Sequence, residues 1–345
     1  MKLGAKAVTY GLVGLALAGA IIFSGSTLGI LEPGSSGVLS VLLTDPPTVP
    51  AGVTGVYITY SSLAVHAAGF GSSGWVSVPG QGTFDSMQLV DLSQKISSDT
   101  VPSLTYDEVN FTIEAATVEF RGQNYSAAVS SDSLAVPIIG GLKVNSTSPA
   151  AALVDFQPTV INLGTPSSPS FTLAAGAKAL QVPSGEVDQL SKGVGKQASL
   201  EGYGWFDAFK AEYSDNFSAS AVSLTPDSFS ITVLNSGPDP IALHMFVVAV
   251  HANGGEDSAL GAAADTMVFL VQPNGSLQLL NGSPGQIRSH LKGSEYTLVG
   301  GSSQSFSYSG AVTSLRGGYT PVAGTSYYVI VIGAGTISAQ VVTAT

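Results

Sequence analysis

The sequence predicts an all-β protein built as two β-sandwich domains, immunoglobulin-like or transthyretin-like, behind a short N-terminal donor strand. Three observations carry this reading. Among 345 residues there are 41 Gly, 18 Pro, 12 Tyr and 14 Phe, a composition of frequent turns between aromatic-bearing strands. Apolar and polar residues alternate at period two over most of the chain, and long helical periodicities are scarce. Cys is absent, so disulfides, thiolate metal sites and cysteine nucleophiles are excluded and stability has to come from packing. At about 150 residues per domain, the length suits two domains.

Residues 1–20 read as a secretory signal. Lys2 and Lys6 precede the apolar run Leu12 to Ala18, and Ala18-Gly19-Ala20 supplies a small-x-small cleavage site, which starts the mature chain at Ile21. Ser24-x-Ser26 is a second acceptable site. Retention of Leu12 to Phe23 as an anchor stays open, although that run is short for a bilayer span.

Residues 21–36 form the next unit. Ile21, Ile22, Phe23, Leu28, Ile30 and Leu31 make an uncharged, β-competent stretch, followed by Glu32 and the linker Pro33-Gly34-Ser35-Ser36. Such a segment is costly in water unless a groove covers it. It can pack on its own domain, or enter a neighbouring subunit as an added strand.

The first sandwich spans 37–185, with strands expected at Val38–Thr44, Val56–His66, Trp75–Val78, Val109–Phe120, Ser126–Val129, Ala151–Phe156 and Phe171–Leu173. A connector over 186–215 follows, where alternation stops and Glu186, Asp188, Lys192, Lys196, Glu201, Asp207, Lys210 and Glu212 raise the charge; short helical turns are expected near Phe206–Tyr213. The second sandwich, 216–345, carries Phe229–Leu234, Ile241–His251, Thr266–Val271, Leu277–Leu280, Ser305–Tyr308, Tyr327–Ile332 and Ile337–Thr343. No short-period repeat argues for a solenoid or propeller.

Charge excludes one class of partner. Twelve basic residues against 23 acidic give a net charge of −11, which leaves no electrostatic footprint for nucleic acid. Only 10% of residues are charged, against about 25% ordinarily, so the surface is polar through Ser, Thr and Asn, and a low total charge suits an acidic habitat.

Catalytic constellations are not found. His244 and His251 lie seven apart in one expected strand and face opposite ways. Asp107 and Glu108 are adjacent, so a strand sends them to opposite faces, and Glu114 and Glu119 have unlike parity too, so neither pair converges as glycoside hydrolysis needs. No nucleophile elbow, P-loop or dinucleotide fingerprint occurs. The expectation is a non-enzyme with no cofactor, no metal and no small-molecule substrate. Trp75 and Trp205 could stack on sugar rings, which keeps open an anchored or cell-wall-associated glycan-binding module.

Six Asn-x-Ser/Thr sequons occur, at Asn110, Asn124, Asn145, Asn216, Asn274 and Asn281, and are expected to carry N-glycans. In Val109-Asn110-Phe111-Thr112-Ile113 the apolar residues share one face, which puts Asn110 on the solvent side of its strand.

The stretches Gly37 to Pro47, Val56 to His66, Gly74-Trp75-Val76 and Thr83-Phe84-Asp85 resemble an uncharacterised β-sandwich domain of exported archaeal and bacterial proteins, over about residues 37 to 185. The order of signal peptide, short N-terminal strand, two β-domains and many sequons also resembles the glycosylated subunits of the thin surface filaments called threads in thermoacidophilic archaea. That resemblance implies an extracellular, cell-surface homopolymer joined head to tail by inserted N-terminal strands.

Overall fold

The computed structural model describes residues 35–44, 47–129, 132–164, 167–174, 176–214, 217–237, 240–251, 265–282, 295–333 and 336–345. The expected signal peptide, the donor-strand residues Ile21, Ile22, Phe23, Leu28, Ile30 and Leu31, and the sequon residue Asn216 lie outside them.

The protein is all-β. In chain order its strands are β1 (Ser36–Thr44), β2 (Val53–Ala67), β3 (Trp75–Val78), β4 (Gly82–Asp85), β5 (Leu92–Pro102), β6 (Thr105–Phe120), β7 (Gln123–Val129), β8 (Ser133–Lys143), β9 (Ala150–Phe156), β10 (Thr159–Asn162), β11 (Phe171–Ala174) and β12 (Ala177–Gln181). After the short helix Val187–Leu190 come β13 (Gln197–Ser199) and a longer helix, Gly204–Ser214. The C-terminal half adds β14 (Phe217–Thr225), β15 (Ser228–Asn235), β16 (Ile241–Val250), β17 (Met267–Val271), β18 (Leu277–Leu279), β19 (Tyr296–Leu298), β20 (Ser302–Ser309), β21 (Ser326–Gly333) and β22 (Thr336–Thr343).

In the N-terminal half one layer runs β12-β9-β1-β5-β13, with β1 parallel to β9 and antiparallel to β5. The facing layer centres on the long β2–β6 pair, flanked by β3 and β4 on one side and by β7 and β8 on the other. Leu39, Val41, Val154 and Phe156 of the first layer meet Val56, Ile58, Val109 and Phe111 of the second in one core. Fully burying each large aliphatic is worth about 1.5–3 kcal/mol. β8 joins the layers: residues 133–137 pair with β6, Ile138 and Ile139 pair with β12, and Leu142 and Lys143 pair with β6 again. The chain bends where Gly140 and Gly141 adopt φ of 72° and 74°, a conformation that costs glycine little.

Central bulges correct the parity argument for the acidic residues. Between Thr59 and Ser62 of β2, and opposite them at Glu114 of β6, the register shifts, so the outward face changes from even to odd positions along β6 and from odd to even along β2. Thr112 and Glu119 therefore share the outer side although they differ in parity, with Glu114 exposed in the bulge between them. A second irregularity lies at Asp107, between the paired residues Tyr106 and Glu108.

The outer face of the first layer is apolar as well, which explains the unbroken apolar runs of β1 and β9. Leu42, Ala151 and Leu153 pack under Val187, Leu190, Leu200, Phe206 and Phe209. Residues 187–209 thus cover the sheet. Asp155 belongs to this layer and is 2% exposed. Its Oδ2 accepts a hydrogen bond from Gln157 Nε2 at 2.7 Å, while Oδ1 has no hydrogen-bond partner among the described residues. Burial raises its carboxyl from 3.8 to about 7, against weaker lowering by the Gln157 bond and the Lys210 and Lys178 charges.

In the C-terminal half the sheet β14-β15-β20 faces the sheet β18-β17-β16-β21-β22. Phe229 and Phe269 stack across the core at 4.5 Å, and Phe246 meets Phe306 at 5.4 Å. The far side of the larger sheet is buried too: Met245, Val247, Leu270, Ile330 and Ile332 pack with Ile161, Leu163 and Ala174 of the N-terminal half. Burial on both faces gives β16 and β21 their continuous apolar sequences.

Candidate functional site

The root of the N-terminal segment is a glycine contact. Ser36 pairs with Pro102, and Ser103 N donates to Ser35 O at 3.1 Å. A Cβ on Gly37 would lie 2.0 Å from Asn145 O, so only glycine lets the chain enter β1 against that loop. A hollow of about 220 Å³ opens beside it, lined by Ser36, Val38, Thr100 and the loop Asn145–Pro149.

Five of the six sequon asparagines are described. Asn145 Oδ1 accepts from Thr147 N at 2.9 Å and from Thr147 Oγ1 at 2.8 Å. Asn274 repeats this with Ser276 N at 3.0 Å and Ser276 Oγ at 2.7 Å. Both are turns closed by the asparagine on its own sequon hydroxyl, and a planar amide whose oxygen is turned inward directs its nitrogen the other way. Asn124 and Asn281 are exposed, Asn124 just after the β6–β7 turn, and Asn281 Oδ1 accepts from Thr313 Oγ1 at 3.1 Å. Asn110 is half-buried on the outer side of β6, where its amide and the Ser133 hydroxyl bond each other at 3.0 and 3.2 Å.

The structure also assembles a group that sequence reasoning missed. His66 Nδ1 lies 2.6 Å from Asp107 Oδ1, and Nε2 lies 2.5 Å from Gly71 O. Trp75, 40% exposed on β3, packs on the imidazole at 5.0 Å. Neutral histidine carries one N–H and the imidazolium two, so the protonated form alone serves both acceptors. His66 is raised above its ordinary value, most by the Gly71 carbonyl, then by the Asp107 hydrogen bond and the charges of Asp107 and Glu108, with burial opposing. The ring clamps the 68–74 loop onto the sheet. With Nε2 committed to a backbone carbonyl, it is no free general base.

The stability added by this clamp is therefore complete below the ordinary histidine value of about 6.5 and lost as pH rises through the higher folded value. His66→Ala should accelerate amide exchange in residues 68–74 at acidic pH, at a cost of about 1 kcal/mol after solvent screening, and remove the pH dependence of that exchange. Loop protection in the unaltered chain that does not change between about pH 5 and 8 would contradict the clamp.

The remaining candidates do not converge. His244 is buried at a register shift in β16, and His251 follows the strand, with its ring 4.5 Å from Tyr328. Among the described residues no three His, Asp or Glu side chains group as metal ligands. Trp205 is half-buried in the helical layer and donates through Nε1 to Glu186 Oε2. Among the described residues no helix is long and apolar enough to cross a membrane. No protein-family model matches the chain, and no curated protein matches its sequence.

Proposed function

We propose that this chain is the structural subunit of an extracellular cell-surface filament, joined head to tail to copies of itself by donor-strand complementation and covered with N-linked glycans. The observation that carries the reading is the position of β1. It starts at Ser36 already bonded to β5 on one side and is flanked by β9 on the other, so the uncharged stretch 21–31 ahead of it, separated by Pro33-Gly34, has no vacant place beside β1 in that sheet. An apolar strand-forming arm at the root of such a domain is suited to a sheet elsewhere. The glycan half of the proposal rests on the turn geometry at Asn145 and Asn274 and the exposure of Asn124 and Asn281.

Electron micrographs of the native protein should show thin filaments, and peptide sequencing should find Ile21 at the mature N-terminus. Mass spectrometry should find glycans at Asn124, Asn145, Asn274 and Asn281; unmodified peptides at all four would remove the glycan claim. The exposed Trp75 favours one other reading, an anchored glycan-binding module. Monomers that retain residues 12–23 and bind glycans through Trp75 would establish it instead.

A further inference from the structure

The smaller sheet of the C-terminal half ends in an unguarded edge. β20 pairs with β15 along all eight residues without a register shift, and no described strand is bonded to its other side. Gly310 N donates to Asp227 O at 2.9 Å. The alternation of an antiparallel ladder then turns the backbone N–H and C=O of Ser303, Ser305, Ser307 and Ser309 away from β15. One of these carbonyls, Ser305 O, accepts from the Gln304 side chain at 2.9 Å.

Edge strands are ordinarily protected by shortness, bulges, charge or proline, because a row of outward backbone groups is a template for another strand. β20 reads Ser-Ser-Gln-Ser-Phe-Ser-Tyr-Ser and has none of these. Most other edges are short: β3, β4 and β10 have four residues each, and β13, β18 and β19 three. β22, the outer strand of the larger sheet, is eight residues long and regular like β20, but it lies against β14 of the facing sheet. β14, at the opposite edge of the smaller sheet from β20, shifts register between Ser220 and Ser223 and is tied to the end of the chain by Thr345 N donating to Leu224 O at 3.0 Å. Behind β20 lies the core, where Phe306 meets Tyr296 at 5.4 Å and Tyr308 meets Phe269 at 5.5 Å.

We infer that the β20 edge is the acceptor site, and that its occupant is the segment Ile21–Leu31 of a second copy. The inference rests on the filament reading above and adds the place of the joint. Eleven residues are enough to run the length of an eight-residue edge. Neither strand carries a charge, so pairing them buries none. Alternate residues such as Leu28 and Ile30 fall on one side of the added strand, where they can extend the aromatic rim of Tyr296 and Tyr308.

Amide exchange on the full chain tests this. In assembled protein the Ser303, Ser305 and Ser307 amides should exchange on the order of tenfold or more slowly than in a Leu28→Asp/Ile30→Asp double variant, which should remain unassembled. Equal protection in that variant would mean that the chain covers its own edge, and would overturn the inference. Filaments with these amides unprotected would overturn the edge and leave the filament standing. A native chain that never assembles would overturn the filament reading, and the inference with it. Ser307→Pro removes an outward donor and no bond to β15, so it should leave the melting of the monomer unchanged and abolish assembly. Assembly of this variant at native yield would overturn the proposal; if it fails to fold, the exchange comparison decides.

Discussion

Unfolding free energy is expected to fall by several kcal/mol between about pH 4 and pH 8, and Asp155→Asn to remove most of that loss. In the folded chain burial raises the Asp155 carboxyl from 3.8 to about 7, which at 1.36 kcal/mol per unit is on the order of 4 kcal/mol. The sign follows from proton counting. Below the unfolded value both states hold the proton and the group is neutral in its effect. Through the window up to about 7 the folded state binds one proton more than the unfolded, so stability drops as pH rises. Above it the folded protein carries a buried anion with one oxygen lacking a hydrogen bond among the described residues. Denaturant titrations at several pH values measure this, and the difference between the two proteins separates Asp155 from His66, whose clamp weakens in the same direction. A native stability that is flat over the window, with the asparagine variant parallel to it, would defeat the prediction.

The Leu28→Asp/Ile30→Asp variant is expected to lose assembly altogether while both cores melt as in the native chain. Each aliphatic side chain, fully buried in an acceptor sheet, is worth about 1.5–3 kcal/mol. A carboxylate in its place adds a desolvation penalty, and the joint must also offset the loss of translational and rotational freedom. Deleting residues 21–31 should act in the same way. The two described cores are built from Leu39 onward, and thermal unfolding is expected not to move. Filaments of normal length from either form, seen by sedimentation and electron microscopy, would rule out the donor segment.

The all-β architecture was legible because β1, β2, β6, β15 and β21 carry the alternation or the apolar runs that strands need. Other strands hid for physical reasons. β5 reads as a polar loop with Lys95 and Asp99, yet it is an inner strand held by β1 and β13. β8 contains Pro137 and the pair Gly140-Gly141, ordinarily signs of a break; here the proline precedes the point at which β12 joins, and the glycines lie where the strand leaves β12 and returns to β6. The helix Gly204–Ser214 was legible near its expected place, but its packing over Leu42 and Leu153 was not, since nothing local to Phe206 and Phe209 names the surface they cover. Sequons could be read by motif alone. The contact of His66 with Asp107 could not, because it depends on an irregularity in β6 that period-two counting assumes away.

The interior position of β1 has a mechanical consequence. In a filament, tension on the N-terminal arm enters the fold at Ser36 and pulls along the axis of a strand bonded on both flanks, to β5 and β9. Those bonds lie across the direction of pull and are loaded together, in shear, instead of being unzipped in sequence as at a sheet's margin. Rupture under load is governed by the unfolding rate, so the domain at the root of the arm should outlast the non-covalent joint that the arm makes, and an overloaded filament would part between subunits with each one still folded.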